Sequence, residues 1–302
     1  MKTKKVLLSM AIAALFMTGC SKENDSPIED GSSNYVSINA SIGQFLTKSP
    51  TATAFTSGDN IAVYAWTGSK TEITPETTKK DYSFDEADWA VITAPGISFK
   101  DLTTDYYFMG RYPTTPEISS FTADNYTLDP TKQEQSDILV ATSTNDDING
   151  ANAATAVSLG FTHIMAKLTI NLSYGTDDFA STPTVTAVTV NAKSTATIDY
   201  LTKAVTESST ETAADITMPV VTANQVYSSI MIPQNIGDII ITIDGETNKY
   251  KLADPDIDLT SGVNQILNLT VGKDGLVTLT STGIADWTDA TGTGTAVEVT
   301  GA

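Results

Sequence analysis

Apolar and polar residues alternate with a period of two along most of this 302-residue chain, and no stretch sustains a 3.6-residue apolar period. Val36, Ile38, Ala40 and Ile42 alternate with Ser37, Asn39 and Ser41. After a Ser57-Gly58-Asp59 turn, Ile61, Val63 and Ala65 alternate with Ala62, Tyr64 and Trp66. Successive side chains of a strand point to opposite faces, so this pattern reads as strand rather than helix. Threonine is abundant and charged residues make up only 18% of the chain. β-branched residues suit a pleated surface better than a helix. The expected fold class is therefore all-β.

Further strands follow the same logic. Residues 82–92 hold Tyr82, Phe84 and Trp89 and read as one strand. Residues 105–112 are aromatic and end at Pro113, and Asp137-Ile138-Leu139-Val140 gives a short strand. Residues 145–154 form a turn-rich connector. One long strand is expected next, with Ile164, Ala166, Leu168, Ile170 and Leu172 on one face and His163, Lys167, Thr169 and Asn171 on the polar face. Val188 and Val190 anchor another. Ile239, Ile241 and Ile243 lead through Gly245 to Tyr250 and Leu252, a hairpin pattern. Leu267, Leu269 and Val271 lead through Asp274-Gly275 to Val277 and Leu279, a second one. Near the end, Thr293, Thr295, Val297 and Val299 share one face behind Thr291-Gly292. Many short strands with frequent turns argue for β-sandwich architecture. The length suits two such domains, expected at residues 35–158 and 159–302 with the tail strand in the second.

The start of the chain has a different character. Lys2, Lys4 and Lys5 precede an apolar run over residues 6–16, followed by Met17-Thr18-Gly19-Cys20. A basic start, a short apolar core and small residues before a cut site describe a secretory signal peptide, here residues 1–19. The core falls short of the ~20 apolar residues a bilayer span needs. Gly19-Cys20 resembles the lipobox of bacterial lipoproteins, which implies cleavage between the two and acylation of Cys20, palmitate included. Several acyl chains on one residue exceed what stable anchoring requires. Residues 20–34 then read as an acylated polar tether, in which Lys22-Glu23 with Asp25 resembles a short surface-export signal. Cys20 is the single cysteine, so no internal disulfide forms. The net charge of −19 becomes more negative once the leader lysines are lost. Such a chain repels nucleic acid and anionic membrane surfaces.

Enzymatic chemistry finds no footing. A Ser–His–Asp arrangement would have to use His163, the one histidine, and no Gly-x-Ser-x-Gly elbow exists. Zinc would need more nitrogen and sulfur ligands than the chain has. Asp254, Asp256 and Asp258 alternate and Asp146-Asp147 lies near a glycine, but neither matches an EF-hand loop. No phosphate-binding loop appears. No catalytic, cofactor or metal site is expected. Trp66, Trp89 and Trp287 are the residues that could stack on sugars if exposed.

Taken in order, the landmarks form a series. The lipobox and tether precede a first strand. Gly58-Asp59-Asn60-Ile61-Ala62-Val63-Tyr64 leads to Trp66. Then come Asp137-Ile138-Leu139-Val140-Ala141, Phe161-Thr162-His163-Ile164-Met165-Ala166-Lys167-Leu168 and Ile284-Ala285-Asp286-Trp287. This order resembles the fimbrillin-like, or Mfa-like, family: the type V pilins of Gram-negative anaerobes and their anchor and tip relatives. The resemblance implies two transthyretin-like β-sandwich domains and a structural or adhesive subunit of a cell-surface pilus. It implies export as an outer-membrane lipoprotein, with residence in the fimbrium after processing. The partners would be other pilin subunits through strand exchange, the outer membrane through the lipid, and a host protein or glycan receptor.

Family members are cut after a basic residue just past the first strand, which removes lipid and strand together. Lys48 stands at the matching position, so the bond between Lys48 and Ser49 is the expected cut. The familiar residue there is often arginine, whereas this chain's single arginine is Arg111. The departing strand would be residues 35–45, and the C-terminal tail would either be the donor that refills a neighbour's groove or pair with its own second domain or fray. A buried backbone group left unpaired costs ~1–3 kcal/mol, so such a groove holds its donor strongly. The alternative is a surface lipoprotein that binds glycans or host ligands without polymerising.

Overall fold

The computed structural model describes residues 35–43, 54–73, 77–143, 148–243, 246–272, 274–285 and 297–298. Gly19, Cys20, Lys48, Ser49, Asp146, Asp147, Trp287, Thr293, Thr295 and Val299 lie outside them.

The described chain is almost wholly β. Its first half runs through β1 (Ile38–Ile42), β2 (Asn60–Thr67), β3 (Thr78–Asp85), β4 (Asp88–Val91), β5 (Tyr106–Tyr112), β6 (Asp124–Thr127), the short helix α1 (Gln133–Ser136), β7 (Leu139–Thr142) and β8 (Val157–His163). There follow β9 (Ala166–Tyr174), β10 (Val185–Ala192), β11 (Thr195–Asp199), β12 (Ala204–Glu207), β13 (Ala214–Thr217), β14 (Val220–Thr222) and β15 (Val226–Met231). The last are β16 (Asn235–Ile236), β17 (Ile239–Ile243), β18 (Glu246–Leu252), β19 (Ile257–Asp258), β20 (Asn264–Val271), β21 (Val277–Ala285) and β22 (Val297–Glu298).

A seven-stranded sheet has the order β1-β8-β7-β5-β2-β3-β4, and a six-stranded sheet the order β14-β15-β9-β20-β21-β22. A four-stranded sheet, β13-β10-β17-β18, faces the latter across the large core. Most neighbours are antiparallel, but β1 runs parallel to β8 and β20 parallel to β9.

Strand β2 shows why the halves pack as one body. It lies inside its sheet, and Ile61 through Trp66 are all buried. Ile61, Val63 and Ala65 face one core with Phe108, Leu159 and Phe161. Ala62, Tyr64 and Trp66 face a larger core that also holds Leu168, Ile170, Val188 and Ile241. β6, from the first half, pairs with β11 from the second. Burying a Val, Leu or Ile side chain contributes about 1.5–3 kcal/mol, so a strand buried on both faces anchors both cores.

Two expectations change. Residues 82–92 are not one strand: β3 and β4 form a hairpin turning at Glu86-Ala87, with Glu86 at φ 52°. Residues 163–172 are not one strand either. The chain leaves β8 at His163, breaks at Ile164-Met165 and enters a different sheet as β9. Lys167 is consequently buried, at 7% exposure, rather than lying on a solvated face. The expected boundary at residue 158 falls within β8, which belongs to the first sheet through β1 and β7; the change of sheet comes after His163. Both hairpins of the second half form as expected, β17–β18 and β20–β21, the latter with Gly275 at φ 89°.

Candidate functional site

The site is built around the first strand. β1 stands at one end of the seven-stranded sheet and is joined to it through β8, with Ile38 opposite Val157, Ala40 opposite Leu159 and Ile42 opposite Phe161. Ser37 accepts from Val157 N–H at 2.8 Å, and Gly43 N–H donates to Phe161 at 2.8 Å. Backbone groups of a strand point to alternate sides, so the even-numbered residues of β1 direct theirs away from β8.

Two of the outward-facing groups along this segment have partners. Val36 N–H donates to the Ile97 carbonyl at 2.8 Å, and Tyr35 bridges to Ser98. The indole Nε1 of Trp89, on β4, donates to the Ala40 carbonyl at 3.2 Å. β4 is the opposite end of the same sheet, so the sheet curls until its two ends meet across this bond.

The inward side chains follow the alternation read from sequence. Val36, Ile38 and Ala40 are buried, and Ile42 packs at the margin of the same cluster. Directly beneath, Gly110 of β5 allows the Phe161 ring to lie on the backbone: a Cβ there would come within 2.4 Å of it. After residue 53 the described chain resumes at Ala54 and at once places Phe55 in this cluster. Its ring is edge-on to Trp89 at 4.9 Å and to Phe161 at 5.3 Å. Burial of these groups is what opposes release of β1.

A cavity of about 490 Å³ opens at the end of β1, between Ile42, Phe55, Tyr112, His163, Lys167 and Ile230. His163 Nδ1 lies 2.7 Å from Asp137. The Tyr112 hydroxyl donates to Glu134 at 3.0 Å; burial, with Glu134 reinforcing it, pushes the Tyr112 pKa up. Gln133 ties α1 to β15, accepting from Ile230 N–H at 2.6 Å.

The remaining sequence-based sites resolve as follows. Trp66 is buried and donates to the Ser69 carbonyl at 2.7 Å, so it offers no face to a sugar. Asp256 and Asp258 accept from Asn235, and the Asp254 backbone N–H donates to Asp238. Among the described residues, no group of three or more His, Cys, Asp or Glu side chains is placed to hold a metal ion. No helix among them is long and apolar enough to cross a membrane. In the tail, Val297 and Glu298 form β22 and pair antiparallel with Ile284 and Gly283 of the chain's own β21. Sequence reasoning missed the placement of Trp89 and Phe55 beside β1; the signal available was their aromatic character, which by itself specifies no partner. It also missed β8, although Val157, Leu159 and Phe161 alternate cleanly with Ser158, Gly160 and Thr162.

A sheet-rich body whose first strand is a covered end strand defines an all-β class of protein. Comparison with known proteins agrees. The family described as fimbrillin-like matches residues 47–287, more than half of the chain. The chain belongs to the fimbrillin-like family, a family of fimbrial and adhesive rather than catalytic proteins. It is similar in fold to the crystal structure of a provisional cell adhesion protein from Bacteroides uniformis, at 18% identity and a TM-score of 0.64, covering 87% of this chain and 100% of that one. A provisional cell adhesion protein from Bacteroides ovatus is similar at 17% identity and a TM-score of 0.61, covering 85% and 99%. No curated protein matches the sequence.

Proposed function

We propose that this protein is a structural or adhesive subunit of a cell-surface type V pilus, exported as a lipoprotein and assembled by strand exchange. In this reading Cys20 carries the lipid, and two transthyretin-like sandwiches, meeting where the chain leaves β8 after His163, share a core. A cut between Lys48 and Ser49 severs β1, and a strand from a neighbouring subunit takes its place. The observation that carries the reading is the position of β1: an end strand whose ladder runs to β8, in a sheet that continues without it. Its loss would expose the outer edge of β8 and the apolar surface of Leu159, Phe161 and Ile61, which strand addition can refill.

The test is limited proteolysis of the lipidated precursor with trypsin, followed by N-terminal sequencing and gel analysis. Cleavage that begins at Ser49 and yields a ladder of oligomers supports the reading. A product that retains β1 or stays monomeric after the cut defeats it.

The pairing of β22 with the chain's own β21 favours a second reading, a surface lipoprotein that does not polymerise and binds a glycan or host ligand. In that case the cut protein remains a monomer and its tryptophan emission shifts on adding the ligand.

A further inference from the structure

We infer that the cavity at the end of β1 is a binding site for one neutral pyranose unit of a glycan; the inference deepens the second, glycan-binding reading and stands apart from strand exchange. The cavity's volume of about 490 Å³ is that of a small-molecule site. Its walls come from separate elements: Ile42 from β1, Tyr112 from β5, Glu134 from α1 and Ile230 from β15.

The lining selects the ligand. The rings of Phe55 and Tyr112 stand 5.9 Å apart at 59° and form an apolar corner, a seat for the C–H face of a sugar ring. Around that corner both signs of charge are interleaved, with Asp59, Glu134 and Asp137 on the same walls as His163 and Lys167. The Tyr112 hydroxyl donates to Glu134 at 3.0 Å. Burial, then Glu134, Asp59 and Asp137, push its pKa up, so all three carboxylates act on this one phenol. Opposite them, His163 Nδ1 lies 2.7 Å from Asp137, and Lys167 is buried. An anionic ligand meets three carboxylates, and a cationic one meets the lysine ammonium. A hydroxyl avoids both penalties, because it donates to a carboxylate and accepts from an ammonium. A ring with hydroxyls around an apolar face matches such walls, whereas a charged sugar or an open-chain polyol does not. Ile42 is the wall that β1 contributes, so an occupied cavity holds the end of that strand in place.

The test titrates the full chain by calorimetry with the methyl glycosides of glucose, galactose, mannose and fucose. The methyl glycosides of sialic acid and of glucosamine, and sorbitol, are the charged and open-chain arms. At least one neutral glycoside should bind, and at saturation hydrogen exchange should slow at the end of β1 and in α1. Tyr112→Phe and Glu134→Gln should each weaken that binding about tenfold. The titration of the native chain decides the ligand class even where a variant does not fold. Binding by none of the neutral glycosides, preference for a charged sugar, or equal binding of sorbitol would overturn the inference. A neutral glycoside that binds without slowing exchange in β1, and that neither variant weakens, overturns this site and leaves the glycan-binding reading standing on another surface. A tryptophan shift with a longer glycan, where no monosaccharide glycoside binds, does the same.

Discussion

The guanidinium of Arg111 lies 5.7 Å from the centroid of the Tyr200 ring and links the two halves of the chain. Arg111 belongs to β5 and is 1% exposed, whereas Tyr200 follows β11. Nη1 of Arg111 donates to the carbonyls of Pro113 and Pro116, each at 2.7 Å. The Tyr200 hydroxyl donates to Asp124 at 2.9 Å, and Asp124 also accepts from the Ser119 hydroxyl. Burial pushes the Tyr200 pKa up, Arg111 opposes this and Asp124 adds to it, so the phenol stays a donor through neutral pH. The chain's single arginine is thus a structural cation. Arg111→Lys keeps the charge but loses the planar fork, and should destabilise by about 2–4 kcal/mol in urea unfolding. Tyr200→Phe, which strands the buried Asp124 oxygen, should cost about 1–3 kcal/mol. A neutral outcome for both would remove this link from the account of how the halves are joined.

Gly110 of β5 seats the Phe161 ring of β8, the strand paired with β1. Gly110→Ala places a methyl against a fully buried Phe161 ring that has nowhere open to move. Overpacking of this kind costs about 1–3 kcal/mol. Because Phe161 lies opposite Ile42, the loss should appear first as faster hydrogen exchange in β1 and β8, ahead of global unfolding.

Acid should loosen the β10–β11 corner. Glu211 accepts hydrogen bonds from both the backbone N–H and the hydroxyl of Ser194 and of Thr195. Burial works to raise its pKa, but the bonds from Thr195 and Ser194 outweigh it and hold the carboxyl down at about 2, against an ordinary 4.5. A lowered folded-state pKa stabilises the fold above the ordinary value, and that stability is lost as pH falls toward 2. Stability of the native protein and of Glu211→Gln, followed by chemical denaturation from pH 7 to pH 2.5, should converge as the pH drops. Parallel curves would show that this cluster contributes nothing.

Lys48 offers the most direct check on processing. Lys48→Gln should leave the precursor folded and β1 in place, because the substitution lies outside the strand, while trypsin no longer yields a product beginning at Ser49. Ladder formation by this variant at the native rate would move the cut elsewhere.

The β class, the first strand and two hairpins were legible in the chain because a period of two is a local property. Ile38 and Ala40 point inward whichever strand lies beside them. The Asp274-Gly275 turn likewise selects its own hairpin from residues close by. The break between His163 and Lys167 was not legible: the alternation runs on through Ile164-Met165, and the change of sheet arises only from where β7 and β20 stand. The same holds for Trp89. Its position after Phe84 marks it as a strand aromatic, but the bond to Ala40 crosses 49 residues and depends on the sheet curling until its ends meet.

Alternation and turn residues by themselves determined that this protein is built of strands, and which face of β1 is apolar. The parallel pairing of β1 with β8, the core shared by both halves and the closure of the sheet by Trp89 were decided by tertiary structure. Side-chain periodicity records what a residue needs to bury. Which distant surface buries it depends on how the whole set of sheets packs.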